Sequence, residues 1–152
     1  MKYYKRLKIY KASNVEFNPQ TCQAYSYGWW RFVDKINGKI VFNDYRYSPS
    51  TSRHQWKIRS LLSSLGIKID FYIEAPEGLQ KLNSAVEHYQ YEITLLQNAI
   101  NKPRSRKTTN AWRQAQIEEM RDKIYQVKNL MGISDLKQAL DGTYRVLLKG
   151  VA

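Results

Sequence analysis

Two periods divide the sequence. Up to about residue 75 the apolar positions come in short β-type runs, and beyond it they recur with helical spacing. Lys2–Lys11 (KYYKRLKIYK) carries Tyr3, Leu7, Ile9 and Tyr10 and predicts a strand. Asn14–Gln20, with Pro19, reads as a connecting loop. Thr21–Ile36, rich in aromatic residues, predicts one long strand. Asn37-Gly38 supplies the two positive-φ positions of a type I′ turn, and Lys39–Tyr47 is the returning strand. Ser48–Ser52 is a loop with N-cap chemistry. It leads into a helix that places His54, Ile58, Leu61, Leu62 and Leu65 on one face and is stopped by Gly66. In the next stretch Ile67, Ile69, Phe71 and Ile73 alternate with Lys68, Asp70, Tyr72 and Glu74, which predicts a strand with one buried face.

From Pro76 onward Leu79, Leu82, Val86, Tyr89, Ile93, Leu96 and Ile100 recur at alternating spacings of 3 and 4, a heptad seam. Pro103 breaks it. A second helix restarts between Ser105 and Thr109 and runs to Met131, with Ile117, Met120, Ile124, Val127 and Met131 on a similar seam. Two such helices across a short break predict an antiparallel hairpin, with the seam closing on itself or on a second copy of the chain as a homodimer. Gly132 ends the second helix, Ser134 caps a short third one to Leu140, and Asp141-Gly142 turns into a final strand, Tyr144–Leu148. The expected fold is one α+β domain over residues 1–152. A small antiparallel sheet and one amphipathic helix occupy 1–75, the helical hairpin 76–131, and the short helix and terminal strand 132–152.

Composition is that of a folded chain. Its 152 residues are 43% hydrophobic and 13% aromatic, enough for one core. No apolar run approaches the roughly 18 residues of a membrane span, and the basic first residues lack the apolar stretch of an export signal. One cysteine, Cys22, excludes an internal disulfide and any multi-thiolate zinc site and suits a reducing compartment. The expectation is a cytoplasmic protein that does not associate with membranes.

Charge changes the picture most. Lys and Arg number 25 against 13 Asp and Glu, a net charge of +12. The excess is uneven: residues 1–75 hold 13 basic and 5 acidic side chains, residues 76–152 hold 12 and 8. Such a field attracts polyanions, with nucleic acid, DNA or RNA, first and an acidic protein second.

Three stretches have contact chemistry. Lys102, Arg104, Arg106 and Lys107 crowd the bend between the two long helices, beside the free amides of a helix start. Lys2, Lys5, Arg6 and Lys8 interleave with tyrosines near the N-terminus, either as a binding strand or as lysines that keep an edge strand from aggregating. Tyr25, Tyr27 and Trp29 share one side of the long strand with Arg31, and with Arg46 and Arg53 nearby they make a stacking platform or a protein anchor. His54 reads as a buried, hydrogen-bonded histidine and His88 as a solvent-facing one. Two histidines, one cysteine and no tight carboxylate cluster predict neither a metal site nor a cofactor. No phosphate-binding glycine loop or nucleophile elbow is present, so no catalytic residue is assigned.

The stretch Gly28-Trp29-Trp30-Arg31-Phe32-Val33-Asp34-Lys35-Ile36-Asn37-Gly38-Lys39 resembles the first hairpin of the GIY-YIG nucleases. The motif tyrosines fall on Trp30 and Val41 and the second glycine on Asn43, so the resemblance implies a binding remnant rather than a working nuclease. A functional version would use Glu87 as metal ligand with Arg53, His54 and Arg59 in support. The sequence as a whole therefore predicts a non-catalytic nucleic-acid-binding protein acting mainly through phosphate contacts, of the kind a phage or mobile element encodes. An inhibitor or adaptor docking on an acidic partner, such as an anti-defence factor, is the alternative.

Overall fold

The computed structural model describes the backbone of residues 1–139 and the side chains of residues 1–132. Seven strands form one sheet in sequence order: β1 (Lys2–Tyr4), β2 (Ile9–Ala12), β3 (Val15–Asn18), β4 (Gln23–Ser26), β5 (Trp30–Ile36), β6 (Lys39–Asn43) and β7 (Phe71–Ile73). The first six pair antiparallel, and β7 pairs parallel to β6 after the chain has crossed through helix α1 (Pro49–Ser64). A short 3-10 turn (Leu79–Lys81) leads into α2 (Asn83–Ile100), and α3 (Lys107–Ala139) returns against it. The α+β class is as expected, with a larger sheet than expected and one parallel edge.

Strand β6 ends at Asn43 rather than Tyr47, β7 covers only Phe71–Ile73 of the expected strand over 67–74, and three further stretches differ from the sequence reading. Residues 2–12 are two strands, turned by Lys8 at φ 56°. Val15–Asn18 is a strand, with Val15 and Phe17 buried, where a loop was expected. The long strand over residues 21–36 is broken into β4 and β5 by a three-residue loop, Tyr27-Gly28-Trp29, between the paired Ser26 and Trp30, with Tyr27 and Gly28 at φ 54° and 75°. At Asn37-Gly38 the φ values of 50° and 77° make the predicted turn.

Register sorts side chains between the two faces. The pairs Tyr3↔Tyr10, Tyr10↔Phe17, Phe17↔Ala24, Ala24↔Val33, Val33↔Phe42 and Phe42↔Tyr72 form one row across all seven strands. Helix α1 covers this face with Ile58 and Leu62, against Val15, Phe17, Ala24, Phe32 and Phe42. Ser48 caps α1 by accepting from the Thr51 N–H, and Pro49 fits its first turn. The helix ends in a Schellman motif: Gly66 N–H donates to Ser63 and Ile67 N–H to Leu62, with Gly66 at φ 71°.

The helical hairpin covers only part of the opposite face. Its seam residues Val86, Tyr89, Val127 and Leu130 pack with Val41, Ile73, Ala75 and Leu79, so the seam closes on the sheet and on itself. No residue between Thr94 and Gln116 is buried, and this distal half of the hairpin carries its bend away from the sheet. Gly132 interrupts α3 at φ 57°, as its position at a predicted helix end implies. The predicted third helix is seen as helical backbone to Ala139; Leu140, the Asp141-Gly142 turn and the Tyr144–Leu148 strand lie outside the described residues. No helix among the described residues is long and apolar enough to cross a membrane.

Candidate nucleic-acid interface

The two faces of the sheet differ in charge. Residues 1–69 contain thirteen basic side chains and only three acidic ones, Glu16, Asp34 and Asp44. Glu16 and Asp34 lie on the side away from α1, and Asp44, just past β6, stands at the edge where the charges of Lys123 on the hairpin and Arg59 on α1 both act on it. Glu16 stands in a row with Lys11 and Tyr25, Asp34 pairs with Val41 of the core beneath the hairpin, and Asp44 lines a cleft with Tyr89 and Glu119 of the hairpin. Strands β1–β6 and helix α1 therefore direct no carboxylate to the α1 side. That side carries Arg53, Lys57 and Arg59 on α1 and is flanked by the β1–β2 hairpin with Lys5, Arg6 and Lys8.

Helix α1 contains no Asp or Glu at all. Its inner face is Thr51, His54, Gln55, Ile58 and Leu62, so Arg53, Trp56, Lys57 and Ser60 follow one another along the outer stripe at helical spacing. Between this stripe and the start of β1 runs a groove of about 530 Å³, lined by Met1, Ala12, Trp56, Lys57, Ser60, Leu61 and Ser64. Arg59 points to the other flank of the helix, its guanidinium 5.1 Å from the Phe42 ring centre and 6.0 Å from that of Tyr72.

An aromatic group stands at the N-terminal end of α1. The β4–β5 turn brings Tyr27 onto His54, with ring centres 5.2 Å apart, and Trp29 edge-on to Tyr47 at 6.0 Å. All three aromatic side chains remain about half exposed. The Trp29 backbone is fixed by its carbonyl accepting from Gln80 Nε2 at 3.0 Å. His54 is buried as expected: its Nδ1 lies 2.7 Å from Ser26 Oγ, and burial followed by the nearby Lys57 and Arg53 charges lowers its pKa. It is a structural support for Tyr27.

The predicted contacts fall into three groups. Lys2, Lys5, Arg6, Lys8, Arg46 and Arg53 are exposed, and none is in an ion pair among the described residues. Lys102, Arg104, Arg106 and Lys107 are likewise exposed and without ion pairs among the described residues, but they sit at the far end of the hairpin on the opposite side of the sheet. The two basic regions do not form one patch.

Arg31 and Tyr25 depart from expectation. A bulge between Ala24 and Tyr25 sets Tyr25 opposite Arg31 and separates them from Tyr27 and Trp29. Arg31 Nη1 pairs with Asp34 at 3.1 Å, and its Nε donates to the Tyr25 hydroxyl at 2.9 Å. Gln23 Nε2 donates to the same Asp34 at 3.1 Å. A closed polar network thus occupies both residues on the face away from α1. Sequence reasoning groups Tyr47 with the hairpin aromatics but misses Trp56 and Lys57 as contacts. An exposed Trp56 between Arg53 and Lys57 on a carboxylate-free helix was the available signal.

His88 also departs from expectation. It is mostly covered, edge-packed on Tyr45, and its Nε2 lies 3.4 Å from Glu74 Oε2; that hydrogen bond raises its pKa. Of the positions in the nuclease-like stretch, Trp30 and Val41 are core residues, and Trp30 Nε1 donates to the Pro76 carbonyl. Asn43 is buried and clamps Ala75 through both its side-chain atoms, donating at 2.8 Å and accepting at 2.9 Å. Glu87 bonds Asn83 on the helical-hairpin side, across the sheet from Arg53, His54 and Arg59. Among the described residues no three His, Cys, Asp or Glu side chains converge as a metal site.

No family model matches the chain, and no curated protein or solved structure matches it significantly.

Proposed function

We propose that this protein binds nucleic acid without catalysing a reaction on it, and that it does so on the α1 side of its sheet. The carrying observation is the segregation of charge: the carboxylates within strands β1–β6, Glu16 and Asp34, face away from α1, and α1 itself has none, while the α1 side bears exposed cations. Cations without carboxylate neighbours hold a phosphate chain most strongly, because each neutralised phosphate releases condensed counterions. Binding of this kind depends on backbone charge and reads little sequence.

Affinity for an oligonucleotide should fall steeply between about 50 and 200 mM salt. Arg53→Glu with Lys57→Glu should weaken binding and flatten the log–log salt slope by roughly 0.7–0.9 for each lost contact. Salt-independent binding, or a double variant that binds like the parent, contradicts the reading.

A second reading has its own observation. Tyr91, Trp112 and Tyr125 are exposed on the helical hairpin, together with Leu95, and large aromatic side chains such as the first three anchor protein interfaces. A partner docked there would remain bound after nuclease treatment.

A further inference from the structure

We propose that the nucleic acid taken by the α1 side is single-stranded, its unpaired bases stacking on Trp56 and on the Tyr27–Trp29–Tyr47 group. This deepens, and rests on, the nucleic-acid reading above.

The first observation is where the exposed aromatic surface lies. Trp56 is 67% exposed, in the middle of the α1 outer stripe with Arg53 three residues before it and Lys57 directly after. Its indole faces the groove toward Met1 and Ala12 and adds nothing to the core under α1. The groove volume of about 530 Å³ falls in the range of sites that enclose a small organic ligand. Its rim offers Lys57 for a phosphate and the hydroxyls of Ser60 and Ser64 for polar edges.

The second observation is a further platform on the same side. Tyr27, Trp29 and Tyr47 are 49%, 50% and 54% exposed, held from below by His54 and Trp30 and flanked in sequence by Arg46. From the Ser48 cap to Trp56 is eight residues, about 12 Å along the helix axis. A nucleic-acid strand, at about 3.4 Å or more per phosphate, covers that distance in a few nucleotides. Arg53 stands between the two platforms, where the intervening phosphates would lie.

Stacking distinguishes the two forms of nucleic acid. In a duplex the base faces are occupied by their neighbours, and a protein meets only phosphates and groove edges. Exposed indole and phenol rings among cations then have nothing to cover them. In a single strand every base has a free face, and rings interleaved with cations are the chemistry that binds it without regard to sequence. With no carboxylate on α1 and none directed to this face by strands β1–β6, the surface around Trp56 favours a phosphate backbone.

The test is fluorescence anisotropy with labelled single-stranded DNA, single-stranded RNA and duplex DNA of about 20 nucleotides at low salt, using the parent, Trp56→Ala, Trp56→Phe and Lys57→Ala. Single strands should bind more tightly than duplex by on the order of tenfold, and Trp56→Ala should remove a similar factor from single strands alone. Trp56→Phe should restore part of it, and Lys57→Ala should weaken single strands and duplex alike. Quenching of tryptophan fluorescence on adding unlabelled single strand should shrink in Trp56→Phe, a readout that survives even if Trp56→Ala folds poorly. Equal affinity for single strand and duplex, or a Trp56→Ala variant that loses nothing or loses both equally, overturns the single-strand proposal and leaves the nucleic-acid reading standing. Failure of every oligonucleotide to bind at low salt overturns both.

Discussion

His54 shows how one residue links the core to the interface. Its ring sits between Ser26 Oγ and the Tyr27 ring, and burial, with Lys57 and Arg53 nearby, lowers its pKa from the ordinary 6.5. The fold thus favours neutral imidazole. As pH falls below about 6.5, the unfolded chain takes up the proton first, so stability contributed by neutral His54 declines with acidification. His88 acts with the opposite sign, since its raised pKa gives stability below that range that is lost as pH rises through the folded value. Chemical denaturation at about pH 7.5 and about pH 5.5 should therefore show a smaller acid-induced loss in His54→Asn than in the parent. An equal loss in both would remove His54 from the account. The buried role of His54 was legible because it falls on the apolar stripe of α1. That of His88 was not, because its cover is Tyr45 and Glu74, distant in sequence.

Among the elements, the Asn-Gly hairpin, α1 with its Gly66 stop and the two-helix seam were legible, since each follows from local turn chemistry or a sustained period. Tyr27-Gly28-Trp29 also turns the chain through positive φ, in a loop one residue longer, yet a tyrosine carries no hairpin signal, so β4 and β5 read as one strand and the bulge that joins Arg31 to Tyr25 stayed hidden. Val15–Asn18 looked like a loop because asparagines and Pro19 bracket two apolar residues; pairing on both edges makes it a strand. The basic bend at Lys102–Lys107 was legible as a charge cluster, but its position relative to α1 depends on tertiary packing. That position has a consequence. Arg104→Ala with Arg106→Ala should leave unchanged the affinity for a strand of about 10 nucleotides, which fits on the α1 side, and weaken that for strands several times longer. Equal weakening at both lengths, tracked by anisotropy, would move the primary contact to the bend.

For the whole molecule, the sheet acts as a partition. Its alternation of side chains sends Glu16 and Asp34 to one face, and the helical hairpin gathers Glu87, Glu92, Glu118, Glu119 and Asp122 on that same side. Among the described residues, exposed cations without ion pairs thereby gather on the α1 side and at the hairpin bend, with Glu16, Asp34 and the hairpin carboxylates between them. Part of this was present in the sequence as two carboxylate-free stretches, residues 1–15 and 45–69. Only the packing of α1 shows that they meet, with Met1 and Ala12 lining one groove with Trp56, Lys57 and Ser60. Photo-crosslinking of a bound single strand, with the adducts mapped by mass spectrometry, tests this partition most directly. The account predicts adducts within residues 1–12, 27–29 and 46–66, at Trp56 and the Tyr27–Trp29–Tyr47 group above all. Adducts confined to α2 and α3 would contradict it.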